Sequence, residues 1–390
     1  MRFIDNIPVW GTPEEGAVSQ IRTCAKTADK VALMADHHKG YAVPIGGVVA
    51  YKNAVSPSGV GYDIGCGNKA VLLDMAGPEL RENIGKIMDD VFSTISFGIG
   101  RSNSEEVDHA LFASPAWKIQ AIAPLKEMAR NQLGTVGSGN HYVDLFTDEH
   151  DRVWIGVHFG SRGLGHKTAT WFLKAAGAKD GMDVEPCVIG AESDLGAQYI
   201  EAMHLAGEYA YAGRNWVCSR IARLLGATIL EEVHNHHNFA WRENHGGEDL
   251  WVVRKGATPA FPGQMGFVGG TMGETSVILE GIENAQAKHS LYSTVHGAGR
   301  VMGRMEAAGK VDRKTGAVLR PGKVTKAMMQ SWLTKANVEL RGAGLDESPD
   351  CYKRLDEVLA EHGDSVRILH TLTPVGVAMA GADEFDPYKD

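Results

Sequence analysis

Val153-Trp154-Ile155-Gly156-Val157-His158-Phe159-Gly160-Ser161-Arg162-Gly163-Leu164-Gly165-His166 joins a short apolar run to a glycine-rich turn that carries histidine and arginine. Val153 to Val157 reads as a strand, and a helix is expected from about Lys167 to Ala176. A strand that passes through glycines into a helix start suits anions, because the first N–H groups and the helix dipole face the loop. Ser161 and Arg162 are placed to add phosphate contacts. The same unit, a strand end or start coupled to glycines and a histidine, recurs on both sides of this stretch.

Upstream, Gly134-Thr135-Val136-Gly137-Ser138-Gly139-Asn140-His141-Tyr142-Val143-Asp144 delivers Asn140 and His141 to the start of an alternating strand. A hairpin turn with a surface histidine is the bland alternative. Earlier still, Ser58-Gly59-Val60-Gly61-Tyr62-Asp63-Ile64-Gly65-Cys66-Gly67-Asn68 sets Asp63 and Cys66 three apart among glycines. A thiolate beside a carboxylate is a ligand pair for a divalent transition metal; a tight turn around an inert buried cysteine is the competing reading. Downstream, Val233-His234-Asn235-His236-His237-Asn238 puts three histidines in four residues, and buried imidazoles need partners. Trp251-Val252-Val253-Arg254-Lys255-Gly256 is a strand ending in two cations and a glycine. Gly269-Gly270-Thr271-Met272-Gly273-Glu274-Thr275-Ser276 is a glycine and hydroxyl loop before a strand at 277–279. Ser293-Thr294-Val295-His296-Gly297-Ala298-Gly299-Arg300 has one histidine, glycines that permit close ligand approach, and an arginine fork suited to phosphate. His296 is either a buried structural residue or a nucleophile beside a phosphate.

Between these motifs, helices are expected at 14–27, 78–92, about 104–131, 192–228 as one long helix or two consecutive ones divided near Ala212-Gly213, 301–308, 324–337 and from Tyr352 to about His362. Strands are expected at 31–34, 46–51, 366–369 and 375–378. Asp36-His37-His38-Lys39-Gly40 reads as a polar loop, and the chain closes on a short acidic tail. No period of 20–50 residues repeats, and no linker-like stretch divides the chain. Motifs spread from residue 36 to residue 300 share a site only if the chain folds as one unit. The expected architecture is α+β: one large domain over residues 1–390, with central mixed β-sheet layers and peripheral helices.

Bulk properties set the class. At 44% hydrophobic and 22% charged residues the composition is that of a globular protein, and no run of about 18 apolar residues suggests a membrane span. Met1-Arg2-Phe3-Ile4-Asp5 lacks a signal-type apolar region, and five dispersed cysteines without a CxxC pair predict a reduced, cytoplasmic protein. A net charge of −9 argues against strong non-specific nucleic-acid binding, which depends on neutralising phosphates, but leaves room for a local basic cleft.

Asp63, Cys66, His141, His158 and His237 each adjoin a glycine-rich or polar turn next to a strand. Together they offer enough donors for two divalent ions. Thiolate favours zinc, and oxygen-rich sites favour manganese or magnesium. Two metals can clamp the attacking and leaving oxygens of a phosphoryl transfer. Arg162, Arg254, Lys255 and Arg300 would offset phosphate charge, and His296 would form a phosphorus–nitrogen bond.

The ordered motifs GVGYDIGCG, GTVGSGNHYVD, HFGSRGLGH, HHNFAW, RKGAT, TMGETS, HGAGR and DESPDCYK resemble the RtcB family of RNA ligases over roughly residues 31–381. The resemblance implies a single α+β domain that uses two manganese ions and GTP. It implies joining of RNA 2′,3′-cyclic phosphate or 3′-phosphate ends to 5′-hydroxyl ends, in RNA repair or tRNA processing. By position it makes Asp63, Cys66, His141, His158 and His237 metal ligands and His296 the guanylylated histidine. Asn140, Tyr142, Asp144, Thr271, Ser276, Ala298, Gly299 and Tyr352 match the guanylate pocket, with Arg162 and Arg300 as phosphate contacts. No activating protein is named by the motifs.

The sequence departs from the family at the base pocket. Val377-Ala378-Met379-Ala380-Gly381 stands where the family has a terminal lysine–glycine pair, Asp144 where glutamate is common, and Thr271 where serine is common. Asp36-His37-His38 replaces a Pro-Asp-Val-His type sequence while keeping Asp36 and His38 as the polar pair. Three other functions compete with sealing: a 3′-phosphate capping enzyme with weak ligation, a binuclear metal phosphoesterase that uses water, and an inactive nucleic-acid scaffold. The sealed-to-capped product ratio separates the first, and covalent labelling of His296 the second. The intact ligand set argues against the third.

Overall fold

Along the strand Arg152–Phe159, side chains alternate between two apolar layers. Val153, Ile155, Val157 and Phe159 pack with Val217, Cys218 and Ile221 of the helix Asp194–Leu225. Trp154 packs on the opposite side with Phe146, Phe267 and Leu72. Both faces are buried, which is why this strand reads as a continuous apolar run. A Cβ at Gly156 would run into the Phe146 and Phe267 rings, so the strand needs glycine at that crossing.

The computed structural model describes residues 1–179, 181–311 and 318–382. The acidic tail, 383–390, lies outside them. The strand Arg152–Phe159 belongs to an eight-stranded sheet ordered Ile229–His236, Gly67–Ala76, Arg152–Phe159, Tyr142–Thr147, Val366–Gly381, Ser276–Gly281 and Met265–Val268. Glu339–Ala343 runs parallel beside Val366–Gly381, and the other pairs are antiparallel. A six-stranded sheet is ordered Arg2–Ile4, Ile7–Val9, Lys30–His38, Ile45–Tyr51, Glu248–Lys255 and Asn238–His245, with one parallel pair. Helix Glu15–Cys24 buries Ala17, Val18, Ile21 and Cys24 in a cluster with Leu33, Val49 and Tyr51 of this second sheet. The architecture is one large α+β domain with mixed sheets, as expected from the motif spread.

The two sheets meet at His237. His236 ends a strand of the first sheet and Asn238 begins one of the second, so the chain crosses between them in one residue. The His237 N–H donates to the Cys66 carbonyl at 2.8 Å, and its own carbonyl accepts from the Ala257 N–H at 3.2 Å.

Several elements differ from expectation. The stretch 104–131 is three short 3-10 turns followed by the helix Lys126–Gln132, because Pro115 and Pro124 cannot sit in a continuous helix interior. Of the two readings of 192–228, the single helix holds: Asp194–Leu225, capped by Ser193 and ended by Gly226 at φ +68°, runs without a break at Gly213. Gly213 lies 3.3 Å from the Phe159 ring by its ideal Cβ, and packing there outweighs the ~1 kcal/mol helix cost of glycine. Asp36, His37 and His38 are the end of the strand Lys30–His38 rather than a loop. No helix among the described residues is long and apolar enough to cross a membrane.

Candidate active site

Strand register brings the metal-type residues to one edge of the eight-stranded sheet. His236 pairs with Gly67, His158 with Asn68, and Tyr142 with His158. His237, Cys66 and His141 each stand one residue beyond a strand end, and His158 is next to last in its strand. All four therefore fall in one row, although the sequence separates them by up to 171 residues. Cys66 Sγ lies 3.3 Å from His158 Nε2 and 3.6 Å from His141 Nε2. His141 Nε2 also lies 3.0 Å from Asp63 Oδ2. The His158 and His237 rings are 5.0 Å apart.

These residues fit a soft or borderline divalent cation. One donor atom each from Cys66, His141 and His158 lies within 4.8 Å of the others. His141 Nδ1 and His237 Nδ1 are buried without a partner. Burial, together with nearby histidines, pushes the His158 and His237 imidazoles well below their ordinary value, so both present neutral lone pairs at neutral pH. Burial and the Asp63 charge push the Cys66 thiol well up, a direction that a bound cation reverses.

His296 comes from the other sheet system. The strand Ser293–Val295 pairs with Ala257–Pro259, which follows Lys255 of the six-stranded sheet. Its ring centroid is 4.8 Å from that of His237. Asp36 Oδ2 accepts from the His296 backbone N–H at 3.0 Å and from Nδ1 at 2.6 Å. Burial disfavours the Asp36 charge, but the His296 imidazole and N–H more than offset it and hold the carboxyl below the usual range. With Nδ1 taken by Asp36, Nε2 is left as the ring's lone-pair nitrogen.

Gly299 maintains this pair. Its φ is +79°, and a Cβ there would meet the Asp36 backbone, including the carbonyl oxygen. Gly299→Ala is expected to cost about 1–3 kcal/mol and to displace Asp36 from His296. Chemical denaturation measures the first effect. The rate of His296 modification measures the second, with a drop of tenfold or more expected; an unchanged rate would refute the coupling.

A cavity of about 280 Å³ joins the metal-type cluster to His296. Asn140, Tyr142, Asp144, Thr271, Ala298, Gly299 and Tyr352 line it, with Arg300. Ser276 does not line it; its hydroxyl accepts from the Gly270 N–H at 2.9 Å and shapes the lining turn. Tyr142 Oη and Asp144 Oδ1 are buried without partners, and burial pushes the Asp144 carboxyl well up. Val377 and Met379 pair in register with Asp144 and Tyr142, giving an apolar wall where the family lysine is expected nearby.

The predicted cations separate. Arg300 stacks over Tyr352 and donates to its hydroxyl at 2.8 Å. Arg162, at φ +58°, donates to Thr135 Oγ1 and the Gly98 carbonyl, bracing the loop behind His141 outside the cavity lining. The N–H of Gly163 at the same helix start is taken by the Gln132 side chain. Arg254 is fully buried and spends its fork on Glu243, Ser293 and the Leu291 carbonyl. Lys255 donates to the Tyr41 and Ser58 carbonyls, and burial brings its ammonium down to about 8.

Sequence reasoning did not assign Asp36, Arg304 or Glu347 to the site. Arg304 and Glu347 line the cavity and pair with each other, and Tyr352 donates to Glu347. Two of the three clustered histidines are structural: His234 and His236 accept from the buried Arg214. A second acid–histidine group, Asp148, Glu149 and His370, spends its carboxylates on Arg152, Trp154, His370 and backbone N–H groups.

A family model described as tRNA-splicing ligase RtcB matches residues 17–122 and 113–380. The RNA-splicing ligase RtcB of Escherichia coli (strain K12) is 32% identical over 413 residues, covering 95% of this chain and 97% of the relative. The tRNA-splicing ligase RtcB of Thermococcus kodakarensis is 30% identical over 429 residues, covering 89% and 86%. The RNA-splicing ligase RtcB homolog 1 of Entamoeba histolytica is 28% identical over 431 residues, covering 89% and 80%.

Proposed function

The chain belongs to the RtcB family, and from that premise we propose that it is an RNA ligase working through a guanylylated His296. The substrates are an RNA 3′-phosphate or 2′,3′-cyclic phosphate end and a 5′-hydroxyl end, with GTP as the nucleotide. The observation that carries the reading is the Asp36–His296 pair, with the imidazole set 4.8 Å from His237 at the edge of the cysteine–histidine cluster.

His296 Nε2 attacks the α-phosphorus of GTP, a P–N bond forms, and the bond to pyrophosphate breaks. Asp36 holds Nδ1–H and stabilises the positive charge that the ring acquires. The guanylate then passes from Nε2 to the RNA 3′-phosphate. The 5′-hydroxyl oxygen attacks the activated phosphorus, and GMP leaves. A cyclic phosphate is first opened by water to a 3′-phosphate. Tyr142 Oη and Asp144 Oδ1 supply unpaired polar groups for a purine edge. Arg300 and Arg304 bring positive charge to the phosphate side. Asp63, Cys66, His141, His158 and His237 would hold the two manganese ions, which when bound neutralise phosphate charge as Lewis acids.

Incubation with α-labelled GTP and manganese, followed by denaturing electrophoresis, tests this reading. The expected product is a protein-bound label stable to base and lost in acid; its absence would refute the reading. Labelled ATP in parallel reads base choice, and the ratio of sealed to capped RNA separates ligation from capping. Removing metal with a chelator is expected to abolish labelling, and manganese to restore it. Manganese should also raise the melting temperature of the wild type but not of Cys66→Ala, since a ligand that binds only the folded state stabilises it. Full labelling of the chelated protein would refute the metal assignment.

A further inference from the structure

Residues 300–338 hold nine of the 39 Lys and Arg but only two of the 48 Asp and Glu. One-tenth of the chain therefore carries +7, and the remainder −16, within a protein of net charge −9. We infer that the described residues of this segment, 300–311 and 318–338, form the RNA-docking surface of the enzyme, taking the phosphodiester backbone of single-stranded RNA that leads to the cavity. The inference rests on the RNA-ligase reading and adds to it the part of the surface that holds the strand.

The segment rims the cavity through both its helices. Helix Arg304–Ala308 sends Arg304 into the lining. The hairpin Gly309–Val311 and Val318–Pro321 then folds back, so that the Lys323 and Val324 N–H groups donate to the Glu306 and Ala307 carbonyls, each at 3.0 Å. Helix Lys326–Ala336 buries Leu333, with Met329 partly buried, against Tyr142, Met272, Val377 and Met379 of the cavity wall. What faces outward is cationic: Lys310, Arg320, Lys323, Lys326 and Lys335 are exposed. Lys323 pairs with Glu306, and the other four make no ion pair among the described residues. Val318 and Leu319, 66% and 59% exposed, stand beside Arg320. Exposed cations, two of them paired across the hairpin as Lys310 and Arg320 and two on the helix Lys326–Ala336, next to exposed apolar side chains match a strand that presents phosphates on one side and base faces on the other. Elsewhere the excess of acid repels a polyanion, so the same charge division directs RNA to this rim.

Anisotropy titration of a fluorescent single-stranded RNA bearing a 3′-phosphate, at several salt concentrations, tests the inference. Each phosphate contact on a single strand contributes a slope of about −0.7 in log K against log salt. The triple variant Arg320→Ala, Lys326→Ala and Lys335→Ala should shallow the slope by about 2 and weaken binding by about 10²-fold at ~0.1 M salt. A control triple at exposed lysines elsewhere, Lys26→Ala, Lys86→Ala and Lys174→Ala, should leave the slope at the wild-type value. Equal effects of the two triples, or an unchanged slope in the first, would overturn the inference; the latter is the outcome if the surface serves an acidic protein instead. GTP labelling of the wild type, run without RNA, judges the ligase reading separately. A protein that fails to label but loses RNA affinity only in the first triple keeps this surface and loses that reading.

Discussion

His296→Ala is expected to take up no label from α-labelled GTP under conditions where the wild type labels fully. Alanine removes the imidazole to which the proposed phosphorus–nitrogen bond is assigned, and His237, whose ring centroid is 4.8 Å from that of His296, faces the metal-type cluster. Asp36→Asn gives the more informative intermediate. It keeps an oxygen acceptor near Nδ1 but removes the charge that favours the ring's cationic state. A loss of roughly 10²–10⁴ in labelling rate is expected, by analogy with the effect of neutralising the carboxylate behind a catalytic histidine. Stabilisation by GTP against heat should survive in Asp36→Asn, since Asp36 contacts His296 and does not itself line the cavity. Retained labelling in His296→Ala would end the assignment. Wild-type kinetics in Asp36→Asn would confine Asp36 to a packing role.

Arg214→Ala should be the most destabilising single change in the site's support. Arg214 is fully buried on the long helix, with no carboxylate paired to it among the described residues. Its guanidinium donates to the Gly65 carbonyl at 2.9 Å, to the Phe159 carbonyl, to His234 Nε2 at 2.8 Å and to His236 Nδ1 at 3.0 Å. Gly65 precedes Cys66, and Phe159 follows His158, so one side chain ties two ligand-bearing backbones together. Removing it leaves a void and takes a donor from the Phe159 carbonyl and His234 Nε2, while the Gly65 carbonyl and His236 Nδ1, 3.0 Å apart, can still pair with each other; the expected loss is about 3–5 kcal/mol in unfolding free energy. Denaturant titration reads the loss, and manganese uptake should weaken with it. A change below about 1 kcal/mol would show that the network is not structural support.

The metal-type set was legible because each member stands at a glycine-rich or polar turn on a strand boundary, a local pattern. What brings them together is not local: the pairings of Gly67, His158 and Tyr142 are register facts. Asp36 escaped assignment because its partner is 260 residues away, and a short polar run after an apolar one looks like a loop. Arg254 and Lys255 looked like a pair of phosphate ligands. Neighbours in a strand point to opposite faces, so they could not share one ligand, and each instead satisfies buried acceptors. His234, His236 and His237 divide by the same rule and by the crossing at 237. The long helix outlived its glycine because Phe159 packs against that face, which no helix propensity encodes.

The one-residue crossing at His237 has a mechanical consequence. A tether with no slack holds the six-stranded sheet against the ligand row, and the two-stranded ladder that carries His296 continues from that sheet at Ala257, two residues after Lys255. An added residue at this joint would turn every later side chain of its strand to the opposite face. The joint therefore acts as a rigid gauge block, and any widening of the cavity falls to the turns that rim it rather than to rocking of one sheet against the other.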